Sequence, residues 1–317
     1  CMESITAPAQ KPGQVGLTQA FLYWLKLGCI SFGGPTGQIA IMHHDLVEKK
    51  RWISEQRFLH ALNYCMVLPG PEAQQLATYL GWLMHRTWGG VMAGLLFVLP
   101  SLVLLVGLSW LYVNFGQLPW MTALFNGIKP AVIAIVAQAV GRVGSRTLKH
   151  PVHWVLALGS LLATAFLQLP FPLVLLVAAA VGWVFRGRLS NANESGHASS
   201  GGHNPLPAHA QFRPSHTAKL VLIGALLWGL PMALLWWWFG PSNTLWQMGA
   251  FFSKAALMTF GGAYAVLPYV FQGAVETYHW LTPAQMMDGL ALGESTPGPL
   301  IMVVTFIGFL GGHVQPV

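Results

Sequence analysis

The 317-residue chain is 54% hydrophobic and only 8% charged, with a mean hydropathy of +0.55, whereas an ordinary soluble domain carries about 25% charged residues. That balance excludes an ordinary soluble domain and defines an integral membrane protein whose first partner is the lipid bilayer. Sixteen Lys and Arg against nine Asp and Glu leave a net charge of +7, but no nucleic-acid partner is expected of so apolar a chain.

In chain order, a polar N-terminal tail (1–16) has no apolar core of its own and is not expected to act as a cleavable signal. Apolar stretches follow at 17–42, 90–113, 121–140, 154–169, 173–185, 220–239 and 248–271, several of them close to the roughly 20 residues that a membrane helix needs. The stretch at 173–185 is short and is expected to pair with 154–169 as a tight hairpin across Pro170 and Pro172. Lipid offers no partner to bare peptide groups, and no segment alternates as a membrane strand does, so the expected fold class is all-α and polytopic. Trp110, Trp120, Trp236, Trp237, Trp238 and Trp246 lie near stretch ends, where indole prefers the headgroup layer. Between 187 and 218 runs a Ser-, Gly- and His-rich linker, too polar to fold alone. Its His197, His203, His209 and His216 lack an accompanying Cys or carboxylate pair, which points to a tether rather than a metal site. The three cysteines form no CxxC pair, and neither a metal nor a cofactor is expected.

Residues 26–71 recur at 254–299 without a gap, at a constant offset of 228, and 11 of the 46 aligned positions are identical. Lys26, Phe32, Gly33, Gly34, Glu48 and Trp52 correspond to Lys254, Phe260, Gly261, Gly262, Glu276 and Trp280, and Pro69-Gly70-Pro71 to Pro297-Gly298-Pro299. Duplicated hydrophobic segments interrupted by Gly and Pro point to discontinuous helices around a site near the bilayer midplane. The competing reading is a duplication kept for helix packing alone.

Lys49, Lys50, Arg51 and Arg57 crowd the loop after the first stretch, whereas the equivalent loop at 272–285 has no Lys or Arg. The contrast favours inverted repeats, with the basic side cytoplasmic. The span count pulls both ways. If 58–84 doubles back at PGP, six spans separate the equivalent loops and the copies insert in the same sense; if it crosses once, they are inverted.

The motifs suit an oxyanion. A helix that restarts inside the membrane presents free amides and a positive dipole end, and small residues let an anion reach the backbone. In FGGP, two glycines precede Pro35, which is tolerated at a first helical turn; PGP removes two amide donors and breaks the ladder. The candidate substrate-binding set is therefore Lys26, Phe32, Gly33, Gly34, Pro35, Pro69, Gly70 and Pro71 with Lys254, Phe260, Gly261, Gly262, Pro297, Gly298 and Pro299. Each lysine alternatively snorkels to the headgroups. Glu72 and Glu294 are candidates for proton coupling or for holding the empty site together, or alternatively are helix-end carboxylates favoured by the N-terminal dipole.

Two pairs of segments carry a family resemblance. SFGGPTGQIAIMHHDLVEKKRW with NYCMVLPGPEAQQLATYLGW, and MTFGGAYAVLPYV with GLALGESTPGPLIMVVTFIGFLGG, resemble the chromate transporter (CHR) family over 21–185 and 251–312. The resemblance implies a bacterial inner-membrane protein of the long-chain type with two homologous domains of opposite orientation, 17–186 and 219–317. It also implies export of chromate driven by the membrane potential or a proton gradient, with sulfate as the natural competitor. Val317 aligns with Gly89, before the cluster of spans in the first half, and the chain opens on Cys1, so a second domain truncated at its C-terminus is expected. Two other classes stay open: a transporter of sulfate or another small anion or metabolite, and a membrane enzyme, for which His43-His44-Asp45 is the one dense cluster. Association into a homo-oligomer is likewise left open.

Overall fold

The computed structural model describes residues 15–32, 34–116, 118–148, 150–167, 169, 171–184, 214–260 and 263–314, and every element among them is helical. The linker histidines His197, His203 and His209 lie outside the described residues. The first apolar stretch divides into α1 (Leu17–Ile30) and α2 (Gly34–His43), and α2 runs into a π-helical turn at His44–Lys49. α3 (Glu55–Val67) and α4 (Glu72–Phe115) flank the first PGP. α5 (Pro119–Thr147), α6 (Pro151–Ala165), α7 (Phe171–Val184) and α8 (Pro214–Phe239) follow. Then come α9 (Thr244–Met258), α10 (Ala263–Phe271) with a second π-helical turn at Gln272–Thr277, α11 (Pro283–Ser295) and α12 (Val303–Val314). Helices α4 and Thr217–Phe239 are long and apolar enough to cross a membrane.

α4 is two rods. His85 and Arg86 are non-helical, and Arg86 takes a φ of 56°. Across that turn Gly81 and Gly89 approach so closely that a Cβ on either would collide with the other's carbonyl oxygen, so only hydrogen fits at both positions. The Gln74 side chain bonds Gly94 O at 2.8 Å, which holds the two rods antiparallel.

The breaks reverse the chain. The Tyr64 and Tyr79 rings lie 5.6 Å apart and those of Phe251 and Tyr269 4.9 Å, whereas on continuous rods they would be more than about 20 Å apart. Trp52 likewise returns to 5.5 Å from Tyr23, and Gly293 packs on Val303 across the second PGP. The stretches 17–42 and 248–271, expected as single spans, are therefore hairpins, and 58–84 doubles back as one branch of the span count required. The reason is packing: once Gly or Pro interrupts the ladder, each arm closes its apolar face against the other. Trp24 and Leu27 of α1 share a buried cluster with Met42 and Leu46, and Phe251 of α9 shares one with Val266 and Trp280. In lipid such contacts stabilise through close packing rather than water release.

The second rod of α4, residues 87–115, is roughly 43 Å long at 1.5 Å per residue, longer than the roughly 30 Å hydrocarbon core, and it touches both clusters. Ala93 and Phe97 belong to the first cluster, Leu105 belongs to the second, and Val98 packs against both. His85, before the rod, bonds Val15 O at 2.7 Å, and Gly28 lies on Leu96 to Pro100. Farther along, Ser101 meets Gly298, and Tyr112 donates to Asp288 at 2.8 Å.

Local features recur with the sequence offset. The π-helical turns at 44–49 and 272–277 are each followed by a left-handed residue, Arg51 (φ 52°) and His279 (φ 54°). Beyond them, Trp52 N–H donates to Leu46 O and Trp280 N–H to Ala274 O, both at 2.8 Å.

Candidate functional site

The hairpin tips meet. Gly298 N–H donates to Ser31 O at 2.8 Å, and Gly70 N–H donates to Thr259 O at 2.7 Å. Ser31 and Thr259 stand directly before the two FGG motifs, and Gly70 and Gly298 are the centres of the two PGP motifs. Each FGG break is thus bonded to the PGP break of the other half.

Hydroxyls and amides close the freed backbone. Ser31 Oγ donates to Leu27 O at 2.6 Å and Thr259 Oγ1 to Ala255 O at 2.7 Å, both side chains being wholly buried. Each thereby satisfies a carbonyl left over at a helix C-terminus. Gln38 Nε2 donates to Gly298 O at 2.7 Å, and Gln75 Nε2 to Pro69 O at 2.6 Å. Gln38 is fully buried, and its Oε1 has no hydrogen-bond partner among the described residues.

Gly34 heads α2 with a φ of 73°, which suits glycine, and Pro35 follows in the first turn. Gly70 (φ 128°) and Gly298 (φ 116°) are left-handed as well. Gly33, Gly261 and Gly262 lie outside the described residues. Phe32 and Phe260 are each 50% exposed beside the tips, so neither is a core residue. Glu72 starts α4 right after PGP, almost buried and with no side-chain hydrogen bond among the described residues. Glu294, near the end of α11, accepts from Tyr264 Oη at 2.8 Å.

Lys26 and Lys254 are not brought to the tips. Both sit on exposed faces of α1 and α9, without an acidic partner within 4 Å among the described residues. Lys254 lines a groove with Trp228, Trp236 and Trp246. His43 and His44 have partners that sequence reasoning overlooked. His43 lies 3.2 Å from Glu48 and 2.7 Å from Glu55, and His44 lies 2.8 Å from Glu48. The His44 hydrogen bond first, and His43 after it, hold the exposed Glu48 carboxyl below its ordinary range.

Sequence reasoning also missed Ser31, Thr259, Gln38, Gln75 and Tyr264. A hydroxyl residue before FGG in both copies was the available signal for the first two. The glutamines and Tyr264 align with Val266, Val303 and Thr36, so the repeat conceals them. Chemically, the tips bring helix heads together in an apolar surround, and the first amides of a helix are groups able to receive an anion. The hydroxyls and the PGP glycine amides there are already bonded to carbonyl oxygens of the protein.

The fold is that of a helical membrane protein whose helices break at paired FGG and PGP motifs. The family described as Chromate transporter matches residues 18–183 and 246–315, and the chain belongs to it. The chromate transport protein of Cupriavidus metallidurans is 33% identical over 93% of this chain and 67% of its own length. That of Pseudomonas aeruginosa is 36% identical over 95% and 68%, and the probable chromate transport protein of Synechococcus elongatus 33% over 93% and 69%. No solved structure matches the chain.

Proposed function

We propose that this chain exports chromate from the cytoplasm across a bacterial inner membrane. Two homologous domains, 17–186 and 219–317, are inserted in opposite senses and joined by the tether at 187–218. The observation that carries the reading is the reciprocal pair of tip bonds, Gly298 to Ser31 and Gly70 to Thr259. Because both donors and both acceptors are related by the 228-residue offset, the contact has the form of a two-fold, self-complementary interface, the form expected of paired transporter repeats.

Opposite insertion is supported by the second rod of α4. The contact of Val15 with His85 sets the base of the first hairpins at one end, and the Tyr112 contacts with Asp288 and Phe306 set the second hairpins toward the other. Six spans with 58–84 doubled back would leave the copies parallel, but 248–271 is itself a hairpin. Five passes, residues 87–115, α5, α6, α7 and α8, therefore lie between the two sets, and an odd number inverts the copies. On this path Lys49, Lys50, Arg51, Arg57, Arg86, Arg142 and Arg146 fall on one side, and the Lys/Arg-free segments 240–244 and 272–285 on the other. The basic side is cytoplasmic by the positive-inside rule.

At the tips, amides at the heads of α2 and α4 bind the tetrahedral dianion, with Lys26 and Lys254 supplying longer-range charge, while the Gly70 and Gly298 amides hold the two breaks together. A dianion leaving a negative interior gains roughly 4.6 kcal/mol per 100 mV, twice the value for one charge, so the potential alone suffices as driver. Glu72 and Glu294 are the groups available for proton coupling. Uptake of labelled chromate and labelled sulfate into inverted membrane vesicles tests the reading. Chromate uptake that exceeds sulfate uptake and responds to the potential is expected, and uptake of sulfate alone would overturn the substrate assignment.

A further inference from the structure

Tyr264, Glu294 and Gly34 converge from three elements. Tyr264 is the second residue of α10, Glu294 lies three residues before Pro297, and Gly34 heads α2. Tyr264 Oη donates to Glu294 Oε1 at 2.8 Å, and a Cβ built on Gly34 would stand 3.8 Å from the same hydroxyl. The phenol therefore sits between a carboxylate and the amide-bearing head of a helix from the other half. The constellation occurs once per chain, since Thr36 and Met66 hold the positions equivalent to Tyr264 and Glu294.

We infer that Tyr264 is a substrate-binding residue whose hydroxyl alternates between Glu294 when the site is empty and an oxygen of the tetrahedral oxyanion when it is loaded. The inference rests on the reading that the tips hold the anion. A phenol has one donor hydrogen and can satisfy one strong acceptor at a time. A carboxylate and a dianion repel at such range, so Glu294 acts as a resident anion that the substrate must displace from the hydroxyl. Two consequences follow. Removing the hydroxyl weakens oxyanion binding, and neutralising the carboxylate strengthens it because the competitor for the donor is weaker.

Equilibrium binding of labelled chromate to the purified full chain in detergent, with folding checked by thermal unfolding, tests this on wild type, Y264F, E294Q and the double variant. Y264F is expected to raise Kd roughly 10- to 100-fold, the range for a hydrogen bond to a charged group, and to do so in the E294Q background as well. E294Q alone is expected to lower Kd. If Y264F has no effect once Glu294 is Gln, Tyr264 only positions the carboxylate and the inference is overturned. Should Y264F fail to fold, E294Q decides alone, and unchanged or weaker binding overturns the inference. Wild-type protein that binds no chromate refutes the underlying reading instead, a result separable from the others because it involves no variant.

Discussion

Replacing Gly298 by alanine should be among the most damaging small changes in the chain. Its φ of 116° lies where L side chains rarely go, and an added Cβ would stand 2.6 Å from Ser101 Cβ and 2.9 Å from Ser101 Oγ. Ser101 is buried on the second rod of α4 and cannot swing away without moving that helix. A left-handed non-glycine residue costs about 1–3 kcal/mol, and overpacking adds about 1–3 kcal/mol, so a loss of about 2–6 kcal/mol is expected. Relief by displacement would pull Gly298 from both Ser31 O and Gln38 Nε2, so transport should fall with stability. Gly308 is the internal control: it is helical, nothing lies within 4 Å of its virtual Cβ, and alanine there should be neutral or stabilise by up to about 1 kcal/mol. Thermal unfolding in detergent, with G298A, G308A and the double variant G298A/S101G side by side, reads the difference. The double variant should recover the packing part of the loss but not the backbone part. G298A melting no lower than G308A would refute the reasoning.

Two further outcomes follow from the same geometry. Gln38→Leu leaves the Gly298 carbonyl without its buried donor, a loss of about 1–3 kcal/mol, visible as a lower melting temperature and reduced uptake; an unchanged Tm would show that the tips do not depend on this amide. Cysteines placed at the exposed Glu48 and Glu276 should react with an impermeant thiol reagent from opposite sides of the membrane, and labelling of both from one side would remove the inverted arrangement.

The breaks were legible because glycine and proline act on the backbone locally: FGG and PGP stop helices wherever they occur, and α1, α3, α9 and α11 end there. The direction taken after each break was not legible. Reversal is decided by which faces pack, as when Phe251 stacks on Tyr269, and local sequence carries no record of that partner. The turn at His85 and Arg86 was hidden for a different reason, since its left-handed residue is an arginine, and the close glycine pair that permits it flanks the turn at a distance. The pairing of Ser31 with Gly298 and of Thr259 with Gly70 runs through backbone atoms, so residue identity could suggest the positions but not the bond. The lysines show the opposite limit. Their equivalence at 26 and 254 was plain in the sequence, yet the structure sets both on outward faces.

Vesicle uptake of labelled chromate by wild type, G34L and K26R at matched protein level tests most directly whether the tips form the anion site. Leucine at Gly34 has to adopt a φ of 73° beside the Tyr264 hydroxyl, which blocks the approach of an oxyanion to the head of α2, whereas arginine at Lys26 keeps the charge and changes only its geometry. Uptake abolished in G34L and partly retained in K26R is the predicted result. Normal uptake by G34L would contradict the account, because the anion would then be bound elsewhere.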